Sequence, residues 1–214
     1  MSNDQKHTTN GGFAVLIAWP ETYCRQADAW YDGVMNVVGI NKQGYYKVGH
    51  AAIVLINAEG ECHYFDFGRY NTPPSQGRVR SAGTDDDLHI FTRIGFDDFG
   101  KPMLKELVDE LQENRACNGA GKIRVGVTEV NFENAYDEAI KWQSSGLISY
   151  GPFVPSGTNC SRFARNVAIA GMESSMQKMR LSFPPMITPT PMWNVMAVNE
   201  YYAEREMSVI RLEI

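Results

Sequence analysis

The stretch VGHAAIVLINAEGECHYFDF, residues 48–67, decides the fold of this chain. It contains two runs rich in β-branched and aromatic residues, Val48–Ile56 and Glu61–Phe67, which are typical of strands. The residues between them, Asn57–Gly60, form a turn cluster that ends in glycine, the residue best suited to a left-handed conformation. The segment therefore predicts a β-hairpin with a three-residue loop in which Gly60 has a positive φ.

The register of this hairpin determines which side chains share a face with His50. With the three-residue loop, His50 lies opposite Gly68, and Asp66 becomes its diagonal neighbour on the same face. Asp66 stands between two phenylalanines, where a buried carboxylate usually has a partner. A shift of one residue would instead place His63 on the side of His50. Asp66 is the preferred partner of His50, and His63 is the alternative.

The remaining patterns predict a mixed chain of helices and strands. Strands are predicted at Phe13–Trp19, Leu88–Ile94, Lys122–Val130 and Ser208–Ile214, and helices at Ala27–Val38, Pro102–Asn114, Asn134–Ser144 and Cys160–Gly171. The segment Pro184–Pro191 carries four prolines and predicts a loop or an extended arm. We expect a disordered polar tail over residues 1–11 and a single α+β domain over residues 12–214.

Composition excludes several classes of function. The chain has 214 residues and a net charge of -5, and it has no basic run that could follow a phosphate backbone, so nucleic acid is not an expected partner. The longest apolar run near the N-terminus, Phe13–Trp19, is too short to span a bilayer. No signal-peptide pattern precedes that run, so we expect a cytoplasmic protein. The four cysteines lack the paired short spacings of a zinc site, and no metal or cofactor is expected.

Cys160 is the candidate nucleophile. It lies in SGTNCSRFA, residues 156–164, where a turn runs into a helical pattern of apolar residues. Either Thr158 or Asn159 supplies the capping oxygen, and the positive end of the helix dipole favours a thiolate in the first turn. The alternative is that Cys160 is a small core residue, because it shares a helical face with Phe163.

His50 is the candidate general base. It begins an almost entirely apolar strand, and the small neighbours Gly49 and Ala51 leave space around its imidazole. His7 lies in the polar tail and His89 lies beside acidic residues, so both are weaker candidates. The alternative is a hydrogen-bonded core histidine.

The motifs GHAAIVLI, with His50, and NCSRF, with Cys160, resemble the circularly permuted NlpC/P60 group. This group is a branch of the papain-like cysteine hydrolase superfamily that is related to the lecithin:retinol acyltransferase-like proteins. In the permuted branch the histidine strand precedes the cysteine helix, as it does here. Ser161 and Arg162 stand where the acyltransferase pattern has a glutamate and a histidine, a departure that argues against a lipid substrate.

The resemblance implies a papain-like domain whose central antiparallel sheet packs on the nucleophile helix. It further implies acyl transfer through a thioester, with Cys160 as nucleophile, His50 as base and Asp66 as the orienting group. The backbone N–H of Cys160 would hold the oxyanion, with a second donor among Tyr45, Tyr46 and Asn159.

The expected activity is cleavage of an amide bond in a peptide, a cell-wall-like fragment or another small amide-containing substrate. One alternative is a lipid acyltransferase or thioesterase, which predicts an exposed apolar surface that the sequence does not mark. The other is a catalytically inactive binding domain, in which Cys160 and His50 are separated or sealed from solvent.

Three arginines follow the second hairpin strand. Arg69, Arg78 and Arg80 are expected in a solvated loop, with binding of a substrate carboxylate as the alternative. The cluster Asp85–Asp87 lacks the pattern of a calcium loop and is interpreted as surface charge.

Overall fold

The computed structural model describes residues 11–25, 41–42, 45–47, 49–117, 119–152, 154–183, 188–198, 200–203 and 206–211. The predicted helix Ala27–Val38 and residues 1–10 of the predicted tail lie outside these residues. Within the described part of the chain, no helix is both long and apolar enough to cross a bilayer.

The main sheet has eight strands, and every neighbouring pair in it is antiparallel. Its strand order is β11-β10-β8-β1-β5-β6-β7-β9. These strands are β1 (Gly11–Trp19), β5 (His50–Ile56), β6 (Cys62–Gly68), β7 (Gln76–Arg80), β8 (Arg124–Asn131), β9 (Ile148–Ser149), β10 (Glu200–Ala203) and β11 (Glu206–Arg211). A small second sheet, of order β2-β4-β3, contains β2 (Tyr23–Arg25), β3 (Asn41–Lys42) and β4 (Tyr45–Lys47).

Five α-helices accompany the sheets in the described residues. They are α1 (Lys105–Glu113), α2 (Phe132–Ser144), α3 (Cys160–Gly171), α4 (Ser175–Ser182) and α5 (Pro191–Ala197). Two short 3-10 turns cover Asp86–Leu88 and Arg115–Cys117. The predicted α+β class is confirmed.

Both faces of the central strands are buried, which explains why β1 and β5 are continuous apolar runs. On one face, alternate residues of β5 such as Val54 pack against α1. On the other face, Ile53 and Leu55 pack against α2 and α3, the helix that begins at Cys160. The predicted packing of the sheet on the Cys160 helix is therefore observed.

The hairpin has the predicted register. Ala52 pairs with Asp66, and Leu55 pairs with His63. The N–H of Gly60 donates to the carbonyl of Asn57, and Gly60 has a φ of +80°. A Cβ at Gly60 would also lie 2.1 Å from the carbonyl oxygen of Ile94. The loop therefore requires glycine both for the positive φ and for this close approach.

The predicted strand Leu88–Ile94 is wrong. Leu88 ends a 3-10 turn, and residues 89–95 have no regular structure. The carboxylate of Glu110 accepts the backbone N–H groups of Phe91 and Thr92 at 2.7 and 2.9 Å. These donors are therefore held by a side chain of α1 and are not part of a strand ladder.

The prediction of a solvated loop is also wrong for two of the three arginines. Arg78 and Arg80 lie on β7, which pairs with the end of β6. The stretch does not alternate clearly, since Val79 is its one large apolar residue, and the pairing with β6 supplies the order that the local pattern lacks.

The proline-rich arm ends one residue earlier than predicted. Pro191 is the first residue of α5, a position that tolerates proline because the N–H there has no partner within the helix. The hydroxyl of Thr190 caps this helix by accepting the N–H of Trp193 at 3.1 Å. Residues 184–187 of the predicted arm lie outside the described residues.

Candidate active site

Cys160 is the first residue of α3, and its position is set by a side-chain cap. Asn159 has an extended backbone, with φ -139° and ψ 178°, and its Oδ1 accepts the N–H of Arg162 at 2.9 Å. Asn159 is therefore the cap that the sequence left open between Thr158 and Asn159. The free N–H groups and the dipole of this helix end favour an anion at the Cys160 sulfur.

The start of α3 is also held from the side by α5. Nδ2 of Asn194 donates to the backbone carbonyl of Ser161 at 2.8 Å and to its hydroxyl at 3.0 Å. Asn194 is 1% exposed and Ser161 is 2% exposed, so this contact is shielded from water. It fixes the backbone next to Cys160.

His50 is the first residue of β5, and its imidazole lies close enough to the Cys160 thiol for the two groups to interact electrostatically. Cys160 and His50 are each 7% exposed, so a small part of each remains open to solvent. The indole of Trp19, which pairs with His50 in the ladder, stacks on the imidazole with ring centroids 5.7 Å apart. Gly49 precedes His50 with a φ of +77°, and a Cβ there would lie 3.0 Å from the carbonyl oxygen of Trp19.

Asp66 is fully buried and accepts hydrogen bonds from four side chains. Its Oδ2 lies 3.4 Å from Nε2 of His50, 3.0 Å from the hydroxyl of Tyr64 and 2.9 Å from the hydroxyl of Tyr70. The guanidinium of Arg80 binds both oxygens, with Nη2 at 2.6 Å from Oδ2 and Nε at 3.0 Å from Oδ1. Because Asp66 and Tyr70 engage Nε2 of His50, Nδ1 is the ring nitrogen left for the thiol.

This environment favours the charged forms of His50 and Asp66. Burial by itself would lower the pKa of His50, but its interactions with Asp66 and Cys160 raise that pKa to about 9. Burial opposes ionisation of Asp66, yet the hydrogen bonds from His50 and Arg80 hold the pKa of Asp66 below its usual value. This environment therefore favours the protonated form of His50 beside the Cys160 sulfur.

The structure brings the three predicted site residues, Cys160, His50 and Asp66, into one cluster. The alternative partner, His63, lies elsewhere: its ring packs against Phe132 and Tyr136 at centroid distances of 5.5 and 5.2 Å. The side chains of Tyr45 and Tyr46, considered as oxyanion donors, lie outside the described residues.

Sequence reasoning missed Arg80 and Tyr70. Arg80 is 5% exposed, and the hydroxyl of Tyr70 lies 3.4 Å from Nε2 of His50. The available signal was the strand pairing: on a third strand next to β6, Arg80 lies directly opposite Asp66. Arg78, two residues earlier on β7, makes a two-bond ion pair with Asp85 at 2.6 and 2.7 Å.

The other described thiols lie in environments unlike that of Cys160. Burial raises the pKa of Cys62 to about 12, with the charge of Glu110 adding to the effect. Burial likewise raises the pKa of Cys117 to about 12. Within the described residues, no cluster of three or more His, Cys, Asp or Glu side chains could hold a metal ion.

A cleft of about 510 Å³ lies on another part of the molecule. It is lined by Glu61, by Cys62–Phe65 of β6, by Ser81–Gly83 and Leu88–Arg93, and by Tyr136, Ile140 and Gln143 of α2. This cleft is not lined by Cys160, His50 or Asp66, so it is separate from the candidate active site.

Comparison with known proteins identifies a family. A family profile described as type VI secretion system effector TseH-like matches residues 14–177. Searches of the curated proteins and of the solved structures found no match. The matched segment covers well over half of the chain and includes His50, Asp66 and Cys160. The chain therefore belongs to the TseH-like family of type VI secretion system effectors.

Proposed function

We propose that this protein is a papain-like cysteine hydrolase that cleaves an amide bond through a thioester acyl-enzyme. The observation that carries the proposal is the contact of Cys160, at the start of α3, with a histidine whose other ring nitrogen faces a buried carboxylate. The chain order, with His50 before Cys160, matches the permuted NlpC/P60 pattern that the motifs resemble.

The proposed reaction has two steps. The Cys160 thiolate attacks the amide carbonyl, and the backbone N–H of Cys160 holds the oxyanion that forms. The His50 imidazolium then gives its proton to the leaving amine, and the C–N bond breaks to leave a thioester on Cys160. Neutral His50 next takes a proton from water, which attacks the thioester, and the acid product leaves as the thiolate and the imidazolium are restored.

The proposed substrate is a peptide or a cell-wall-like fragment that contains an amide bond. The family description ties its members to type VI secretion, so we propose that the chain acts as an effector delivered by that system. The sequence predicts a cytoplasmic location, and this prediction applies to the cell that produces the protein.

The inactive-domain alternative expects Cys160 and His50 to be separated or sealed. The interaction of the His50 imidazole with the Cys160 sulfur argues against a separation of the two side chains. Catalytic geometry does not by itself identify the substrate, so activity must decide between the remaining candidates.

One observation favours a lipid acyltransferase or thioesterase as a second candidate. Helices α4 and α5 contact each other, and α5 also contacts α3. Five large apolar side chains on these two helices and at the end of α4 are exposed: Met176, Met179, Phe183, Trp193 and Met196. An exposed apolar surface close to the nucleophile helix fits an acyl chain.

The test compares two assays on the same protein. Release of primary amine from soluble peptidoglycan fragments and from short peptides measures amide cleavage, and thiol release from a fatty-acyl thioester measures the second candidate. We expect amine release that Cys160→Ser abolishes. Thioester cleavage without amine release would overturn the amidase proposal in favour of the lipid candidate, and amine release that survives Cys160→Ser would overturn the role of Cys160.

A further inference from the structure

We propose that Arg80 is a positioning residue of this site: its guanidinium holds the Asp66 carboxylate and the Tyr70 ring in place around Nε2 of His50. The inference rests on the proposed function for its link to catalysis. Its structural basis is independent of the substrate, because it consists of contacts among buried side chains.

The first contact is the fork between Arg80 and Asp66. Nε and Nη2 of Arg80 each bind a different carboxylate oxygen, and Nη2 also donates to the backbone carbonyl of Ala116 at 2.9 Å. Two parallel hydrogen bonds fix the plane of a carboxylate as well as its position. The third bond fixes the guanidinium itself, so Arg80 determines where Oδ2 of Asp66 points.

Oδ2 of Asp66 is shared by several hydrogen-bond donors. Of its four contacts, the one to Nε2 of His50 is the longest, at 3.4 Å, and the one to Nη2 of Arg80 is the shortest, at 2.6 Å. The long contact with His50 is too weak to set the orientation of the carboxylate, and the short ion pair with Arg80 is strong enough to do so. The orientation that lets Asp66 face His50 is therefore imposed by Arg80.

Arg80 also contacts the ring of Tyr70. The central carbon of the Arg80 guanidinium lies 3.4 Å from the centroid of the Tyr70 ring, in a cation–π contact. The Tyr70 hydroxyl donates to Oδ2 of Asp66 and lies 3.4 Å from Nε2 of His50. One guanidinium thus holds both groups that face Nε2.

Arg80 also compensates the negative charge of Asp66. Arg80 and Asp66 are 5% and 0% exposed, so their opposite charges largely compensate each other in a site with little water. Arg80 in this way keeps Asp66 ionised, so that the carboxylate can accept a hydrogen bond from His50.

The test is Arg80→Lys, which keeps the positive charge and removes the fork. We expect kcat for amide cleavage to fall roughly 10- to 100-fold with little change in KM, because a displaced carboxylate misorients the base. The alkaline limb of the pH profile should also move to lower pH, because the hydrogen bond that raises the pKa of His50 is loosened. Arg93→Lys is the control, since Arg93 pairs with Glu61 at the separate cleft, and it should change kcat less than twofold.

A folded Arg80→Lys variant with wild-type kcat and an unchanged alkaline limb would overturn the proposal. If the wild-type chain cleaves no amide, the proposed function fails, but the pH dependence of Cys160 alkylation in Arg80→Lys still decides the role of Arg80. If Arg80→Lys does not fold, nitrogen-15 NMR of the wild-type protein decides it. The Nε–H resonance of Arg80 must then shift with the same midpoint as the His50 titration. A resonance that does not shift as His50 titrates would refute the coupling between Arg80 and His50.

Discussion

Nε2 of His50 lies 3.4 Å from Oδ2 of Asp66, although the two residues are 16 positions apart in the chain. The register of the β5–β6 hairpin creates this relationship, because Ala52 pairs with Asp66 and His50 is the diagonal neighbour. The carboxylate is held in turn by Arg80 from the third strand. Three adjacent strands thus build one side of the site, and the start of α3 builds the other.

We predict that Asp66→Ala destabilises the fold by roughly 3–5 kcal/mol, because it leaves the buried guanidinium of Arg80 without its counter-ion. Urea unfolding measures the change in the free energy of unfolding. Asp85→Ala is the control, since it removes the partner of the more exposed Arg78 and should lower stability by only about 1 kcal/mol. Equal losses in the two variants would contradict the structural assignment of the Arg80–Asp66 pair.

Stability should fall between about pH 6.5 and about pH 9 because of His50. The pKa of His50 is higher in the folded state, about 9, than its ordinary value of 6.5. Protonation of His50 therefore stabilises the fold fully below pH 6.5, and this contribution is lost as the pH rises through 9. We expect the free energy of unfolding of His50→Gln, followed by urea unfolding across this range, to lack the decline. A parallel decline in both proteins would assign it to other groups.

The two helix caps provide a paired test of the Cys160 position. Asn159→Ala at α3 and Asn131→Ala at α2 remove equivalent caps, in which Oδ1 accepts the N–H of Arg162 or of Asn134. Each should lower stability by roughly 0.5–2 kcal/mol. We expect slower alkylation of Cys160 in Asn159→Ala alone, because that cap orders the helix end beside the thiol. Slower alkylation in both variants would point to a general loss of stability.

Asn194→Ala should destabilise the protein by about 1–3 kcal/mol, because it removes two buried hydrogen bonds to Ser161. Thermal unfolding gives the comparison, with Gln143→Ala as the control. Gln143 also donates its amide to a serine hydroxyl, that of Ser81 at 2.8 Å, but at a less buried position. A smaller loss for Asn194→Ala than for Gln143→Ala would contradict the role assigned to the α5 contact.

The hairpin and the nucleophile helix could be predicted because their signals are local. Gly60 after Asn57 specifies the loop and so the register, and Asn159 before an apolar helical pattern specifies the cap. These two segments identify Cys160, His50 and Asp66 as candidates, and the packing of α3 against β5 and β6 brings Cys160 to the other two.

The rest of the site depends on contacts between distant segments. Arg80 looks like a loop residue in GRYNTPPSQGRVR, and only its position opposite Asp66 in the β6–β7 ladder shows that it is buried. The failure at Leu88–Ile94 has a similar cause, because Glu110 on a separate helix takes the backbone donors of that segment. Local propensity does not contain either contact.

The most direct test of the account is the pH dependence of Cys160 alkylation by iodoacetamide, followed by mass spectrometry. Cys62 serves as an internal reference, because burial raises its pKa to about 12. The account predicts rapid labelling of Cys160 at about pH 6, loss of this rapid labelling in His50→Ala and a smaller loss in Asp66→Asn. Labelling of Cys160 only above about pH 8, or no faster than Cys62, would contradict the thiolate–imidazolium pair and with it the hydrolase.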